Sequence, residues 1–149
     1  MDASPLGLVT NPRATEINEE CRRWLSGVLD GGALVVIPEI ADYEVRRELL
    51  RGYKTAGLSR LDILKSDPSF LYLPLNTAAM LQAATFWASA RQRGSPTADD
   101  KALDADVILA AQVSVFRRDE DRVVVATSNP VHLRLFVAAE RWQDIEPFE

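Results

Sequence analysis

The chain has 149 residues, 47% hydrophobic and 26% charged, ordinary values for a globular protein, and its length predicts one domain over residues 1–149. A formal net charge of −5 argues against broad electrostatic adhesion to nucleic acid, although acids gathered around a cation lower net charge while arginines elsewhere hold phosphates. Cys21 is the only cysteine, which excludes a disulfide framework and a thiolate metal site and fits a reducing cytosol. The opening Met-Asp-Ala-Ser-Pro has no signal-peptide pattern and no stretch reaches membrane-spanning length, so the expected location is cytoplasmic, without a membrane partner.

After a short segment over 5–11, residues 15–30 read as an amphipathic helix, with Ile17, Cys21, Trp24, Leu25, Val28 and Leu29 forming its apolar stripe. Thr15 suits its N-cap, Glu16, Glu19 and Glu20 suit its positive end, and Gly31-Gly32 stops it. Cys21 therefore reads as core filler. The continuous apolar run 33–37, ending at Pro38, predicts a strand buried on both faces of a parallel sheet. Pro38 then suits the start of a helix over 39–51. Further along, the pattern predicts a helix over 59–65, a strand over 70–73, and a long helix capped by Asn76 and closed by Gly94. A helix over 105–117, a strand over 122–126, a short helix over 130–138 and an edge strand over 141–145 complete the chain. Strands alternating with helices predict an α/β fold, a parallel sheet with helices on both faces in three layers, with ligands bound beyond the carboxyl ends of the strands.

Arg46, Arg47, Arg51, Lys54 and Arg60 form one basic segment and Arg91 with Arg93 a second; both read first as solvated helix faces. Trp24, Trp87 and Trp142 read as core or interface residues, because no basic–aromatic alternation accompanies them. His132, the lone histidine, reads as structural, and Asp99 and Asp100 as solvated loop acids.

The residues that carry chemistry are acids far apart in the chain: Asp2, Glu44, Asp104 and Asp106, with Asn129 offering a neutral oxygen in the polar turn after the apolar run 123–126. Remote carboxylates that meet hold a hard divalent cation, and such a cation cleaves phosphodiesters. Each acid also has a plainer reading. Asp2 can be a flexible terminal acid. Glu44 can be a solvated helix acid, although Glu48 one turn on repels it unless an arginine or a cation intervenes. Asp104 and Asp106, two apart, do not share a helix face; Asp104 suits an N-cap and Asp106 the first turn.

On the segments 40–49 (Ile-Ala-Asp-Tyr-Glu-Val-Arg-Arg-Glu-Leu), 105–111 (Ala-Asp-Val-Ile-Leu-Ala-Ala), 126–133 and Asp2-Ala3-Ser4, taken in order, the chain resembles the PIN-domain family, including the VapC-like toxins of type II toxin–antitoxin pairs. The resemblance implies a Mg²⁺- or Mn²⁺-dependent ribonuclease acting on RNA, with Asp2, Glu44 and Asp106 holding the metal and Asn129 orienting a ligand water. It further implies that Ser4 and Asp104 support those acids, that Arg47 meets substrate, and that a cognate antitoxin and a second copy of the chain are partners. The dimer surface is expected on the helices around 58–64 or 77–90.

The chain departs from the family pattern twice. The family's first aspartate ends a central strand, whereas here only Met1 precedes Asp2. Either translation starts upstream, or the sheet lacks its middle strand and Asp2 is poorly held. Asn129 also puts a neutral amide at the fourth position, which leaves a catalytically weak RNA- or protein-binding module as the alternative. A small-molecule binding protein ranks last, because no Gly-x-Gly-x-x-Gly or Walker-type loop is present.

Overall fold

A computed structural model describes residues 1–99 and 104–147; Asp100 lies outside the described residues. The described chain is mixed α/β, in the order α1 (Ala3–Thr10), α2 (Glu16–Asp30), β1 (Val35–Pro38), α3 (Glu39–Arg51), α4 (Thr55–Ser66), β2 (Phe70–Leu73), α5 (Thr77–Gln92), α6 (Ala105–Phe116), β3 (Val125–Thr127) and β4 (Ala139–Arg141). Single 3-10 turns occupy Leu133–Leu135 and Trp142–Asp144. No helix among the described residues is long and apolar enough to cross a membrane.

Local signals explain most of the boundaries. Thr15 caps α2 by accepting from Asn18 N at 3.4 Å, and Gly32 closes the helix at φ +80°, a conformation that costs glycine little. Asn76 caps α5 through Ala79 N at 2.8 Å. Pro38 precedes α3, where no intrahelical donor is required of it. Five expectations move, one of them the strand expected over 122–126, which is confined to Val125–Thr127. The segment 5–11 belongs to α1, whose Pro5 and Gly7 hide a helix that buries Leu6 and Val9. The helix expected over 59–65 begins earlier, at Thr55. The short helix expected over 130–138 is only one 3-10 turn. The last strand is Ala139–Arg141, because Trp142 turns inward against Trp24, whose Nε1 donates to Ile145 O at 3.0 Å.

The single sheet that was expected is two parallel pairs. β1 pairs with β2, placing Val35 beside Phe70 and Ile37 beside Tyr72, and β3 pairs with β4, placing Val125 beside Ala139. Met1 and Asp2 stand between the pairs: Met1 N donates to Val36 O at 2.7 Å and Asp2 N to Ala126 O at 2.9 Å. Two extended residues thus do the bridging that a middle strand would do. This overturns the expectation of a poorly held Asp2. Its backbone is fixed to β3, and its side chain caps α1.

Two apolar clusters lie around this junction. One joins α1, α2, α3 and β1 through Leu6, Cys21, Leu25, Ile37 and Trp142; the other joins α6, β3 and β4 through Leu109, Ala110, Val125, Leu133 and Ala139. Gln112, 2% exposed, ties the neighbourhood together: its Oε1 accepts from Ile40 N at 3.3 Å and its Nε2 donates to Leu73 O at 2.9 Å. It thereby satisfies a first-turn N–H of α3 that has no intrahelical partner. Asp42 anchors the other side of α3. Its buried carboxylate accepts from Arg46 Nη2 at 2.9 Å, Tyr72 Oη at 3.2 Å and Lys65 Nζ at 3.4 Å, locking α3 to α4 and β2.

Candidate metal-assisted hydrolase site

Asp2 is the most constrained of the candidate acids. Its Oδ1 accepts from Ala3 N at 2.6 Å, and its Oδ2 accepts from Thr127 Oγ1 at 2.6 Å and from Ser4 Oγ at 3.2 Å. Ser4 Oγ in turn accepts from Ser128 N at 2.8 Å, so the start of α1 is laced to the turn after β3. Ser4, expected to support the acids, thus donates to one of them.

Glu44 stands half-buried on the second turn of α3. Its carboxyl is pushed up to about 7, first by burial and then by the negative charge of Asp2; Arg47 pulls it down and Asp106 pushes it up again. Arg47 Nη2 lies 3.8 Å from Glu44 and Nε 4.0 Å from Glu48, so this arginine eases the repulsion between the two acids. Glu48 is satisfied mainly by Arg51, whose Nε donates to it at 3.0 Å.

Asp106 opens α6, and its carboxyl is raised by burial and by the charges of Asp2 and Asp104, against the lowering effect of a hydrogen bond with His132. That bond joins His132 Nδ1 and Asp106 Oδ2 at 3.1 Å. His132, read as a lone structural histidine, therefore stands on a candidate acid. Thr127, buried at 1% exposure, is a second residue that sequence reasoning missed. Neither leaves a local signal: their partners lie 26 and 125 residues away.

Two candidates face elsewhere. Asp104 spends its carboxylate on the α6 N-cap, accepting from Val107 N at 3.3 Å, and on the hydroxyl of Thr97. Asn129 Oδ1 accepts from Val131 N at 3.3 Å within its own turn, and its N–H donates to Thr127 Oγ1 at 3.2 Å. It reaches Asp2 only through that threonine. Cys21, fully buried with its thiol pushed up to about 12 by burial, is inert core, as expected.

Asp2, Glu44 and Asp106 thus come from three separate elements into mutual electrostatic range. They stop short of a ready-made cage: no three His, Cys, Asp or Glu side chains among the described residues converge closely enough to hold an ion. The donor set is nevertheless all oxygen and anionic, the chemistry of a hard divalent cation. Two of its members, Glu44 and Asp106, are held more protonated by burial, a shift that a cation would reverse. In donor chemistry, though not in spacing, the residues present fit such an ion.

Beside these acids a groove of about 730 Å³ opens between α1, α3 and α4, with Ser4 and Glu44 on its wall. No protein-family model matches the chain, and neither a curated protein nor a solved structure does.

Proposed function

We propose that the chain is a metal-dependent ribonuclease of the PIN-domain type, with Asp2, Glu44 and Asp106 as the residues that would hold Mg²⁺ or Mn²⁺. The observation that carries this reading is the mutual influence of three carboxylates from the start of α1, the middle of α3 and the start of α6, offset by the distant guanidinium of Arg47 at Glu44 and by His132 at Asp106. The ion, when bound, would supply an activated water and neutralise charge growing on phosphate oxygens.

The protein's own residues divide the remaining work. Thr127 and Ser4 fix the rotamer of Asp2, so that both its oxygens are oriented before any ligand arrives. His132 holds Asp106 through a shared hydrogen and limits its rotation. Arg47, exposed on the wall of the groove, is placed to bind a substrate phosphate. Asn129 shapes the turn that presents Thr127.

The test is RNA cleavage by purified protein with and without Mg²⁺ or Mn²⁺, repeated with Glu44→Gln and Asp106→Asn. Metal-dependent cleavage lost in both variants supports the reading, and metal-independent or undiminished cleavage removes it. A second reading, a catalytically weak RNA- or protein-binding module, is favoured by one observation: the Asn129 side chain is turned into its own loop rather than toward the acids. Loss of cleavage with retention of RNA binding would select it. Pairing with a second copy, and with an antitoxin as in toxin–antitoxin pairs, belongs to the first reading. Ile63 on α4 and Leu81 on α5, 69% and 66% exposed, offer apolar surface for a dimer. A solution mass of one chain by light scattering would remove the dimer.

A further inference from the structure

We infer that the groove between α1, α3 and α4 is the track of a single-stranded nucleic-acid segment, in which Arg13, Arg47 and Lys54 hold phosphates and Tyr53 stacks on a base. The inference rests on reading the neighbouring acids as a phosphodiester-cleaving centre.

Four observations lead there. The first is continuity: Ser4 and Glu44, which belong to the acid site, also line the groove, so a strand lying in it passes the acids. The second is charge. The basic segment over 46–60 is not one undifferentiated solvated face. Arg46 is committed to Asp42 at 2.9 Å and Asp62 at 2.8 Å, and Arg51 to Glu48. Arg47 keeps the long contacts to Glu44 and Glu48 and lies over the Tyr43 ring at 5.4 Å, while Lys54 and Arg13 form no salt bridge among the described residues; these three line the groove. Glu48 lines it too, but is already paired with Arg51. The third is mounting. The backbone around Arg13 is held rigid, its N–H donating to Asn11 Oδ1 at 3.0 Å and its carbonyl accepting from Asn18 Nδ2 at 2.9 Å. A fixed mount lowers the entropy lost when the guanidinium meets a phosphate.

The fourth is Tyr53. It is the one non-glycine among the described residues with positive φ, at 52°, and it is 90% exposed at the edge of the groove. A bulky residue in the left-handed region is strained, and glycine or asparagine would hold the same turn more cheaply. An aromatic ring kept there in water has a use in stacking, which is tolerant of base identity. Cations spaced beside an exposed ring match a polyanion carrying bases. An apolar peptide would leave the three cations without partners.

The measurement is fluorescence anisotropy of a labelled ten-nucleotide single-stranded RNA titrated with the full chain in EDTA at several salt concentrations. Arg13→Ala with Lys54→Ala is expected to weaken binding at least tenfold and to flatten the salt slope by about 1.4, near 0.7 for each phosphate no longer neutralised. Tyr53→Ala is expected to weaken it roughly five- to a hundredfold, with Tyr53→Phe restoring wild-type affinity. Arg60→Ala, exposed and outside the groove, serves as the control and should change nothing. Unchanged affinity and slope in the double variant, an equal loss in Tyr53→Phe and Tyr53→Ala, or no binding by the wild type would overturn the inference. The two readings fail separately. Groove-dependent binding without metal-dependent cleavage supports the track and rejects the hydrolase, whereas cleavage with wild-type affinity in all groove variants does the reverse.

Discussion

Thr127 Oγ1 donates to Asp2 Oδ2 at 2.6 Å, joining two residues 125 positions apart. The same hydroxyl accepts from Asn129 N, so a single buried threonine sets both the rotamer of the first acid and the path of the turn behind it. Thr127→Val keeps the shape and removes the hydroxyl, leaving Asp2 to rotate. Metal affinity or cleavage rate should fall about 10- to 100-fold, as for other residues that orient a ligand, while Thr127→Ser should retain most of it. A Mn²⁺ titration of both variants checks this; equal behaviour of Val and Ser would deny the hydroxyl its role.

Glu44 gives a pH signature in the metal-free protein. Its carboxyl rises from 4.5 to about 7 on folding, so within that window the native state keeps a proton that the unfolded chain has released. Stability from this group is therefore full below about 4.5 and is lost as pH climbs toward 7. Glu44→Gln should raise unfolding free energy by about 2 kcal/mol at pH 8, with the gain vanishing near pH 4. Urea unfolding at the two pH values measures it, and a pH-independent difference would contradict the burial of this charge.

Met1 titrates with the opposite sign. Burial lowers its ammonium from 8.0 to about 6, against the raising effect of Asp2, so the unfolded state binds the extra proton between those values and stability rises with pH there. An apolar extension of about four residues fused ahead of Met1 would move the ammonium out of its buried position and lie between the edges of β1 and β3, which bury apolar strands. The melting temperature should rise by about 5 °C or more at pH 6.5, and a Gly-Ser extension of equal length should give much less. Equal shifts for the two extensions would rule out strand pairing in that gap.

Asp42 is a structural acid with no part in the proposed chemistry. Asp42→Ala would strand Arg46, whose remaining partner is Asp62, and would leave Tyr72 Oη without its acceptor. A loss of about 3 kcal/mol is expected, since breaking one side of a buried ion pair costs this much. Denaturant unfolding checks the cost. Mn²⁺ affinity of the folded fraction should stay within about twofold, because the acid site does not use this network.

Elements were legible in the sequence where one local pattern decides them. The apolar run around Val35–Ile37 became a buried parallel strand, and Thr15, Asn76 and Asp104 all cap the helices that follow them. Helix α1 was hidden because Pro5 and Gly7 read as breakers, while the capping by Asp2 and the burial of Leu6 and Val9 are tertiary facts. Asp42 was visible only as a motif neighbour, since Lys65 and Tyr72 lie 23 and 30 residues away. The acids were legible as residue types. Of the groups that hold them, Ser4 was named from the sequence, but Thr127 and His132 were not, because they are marked only by whom they touch. Asn129, expected to point at a ligand, closes its own turn instead.

On the reading proposed above, Asp2, Glu44 and Asp106 share one cation. Calorimetric titration of Mn²⁺ into the metal-free protein tests it directly. One ion per chain is predicted, with affinity reduced at least tenfold in Glu44→Gln and in Asp106→Asn, and little changed in Asp104→Asn. No saturable Mn²⁺ site, or a site indifferent to both Glu44→Gln and Asp106→Asn, would contradict it.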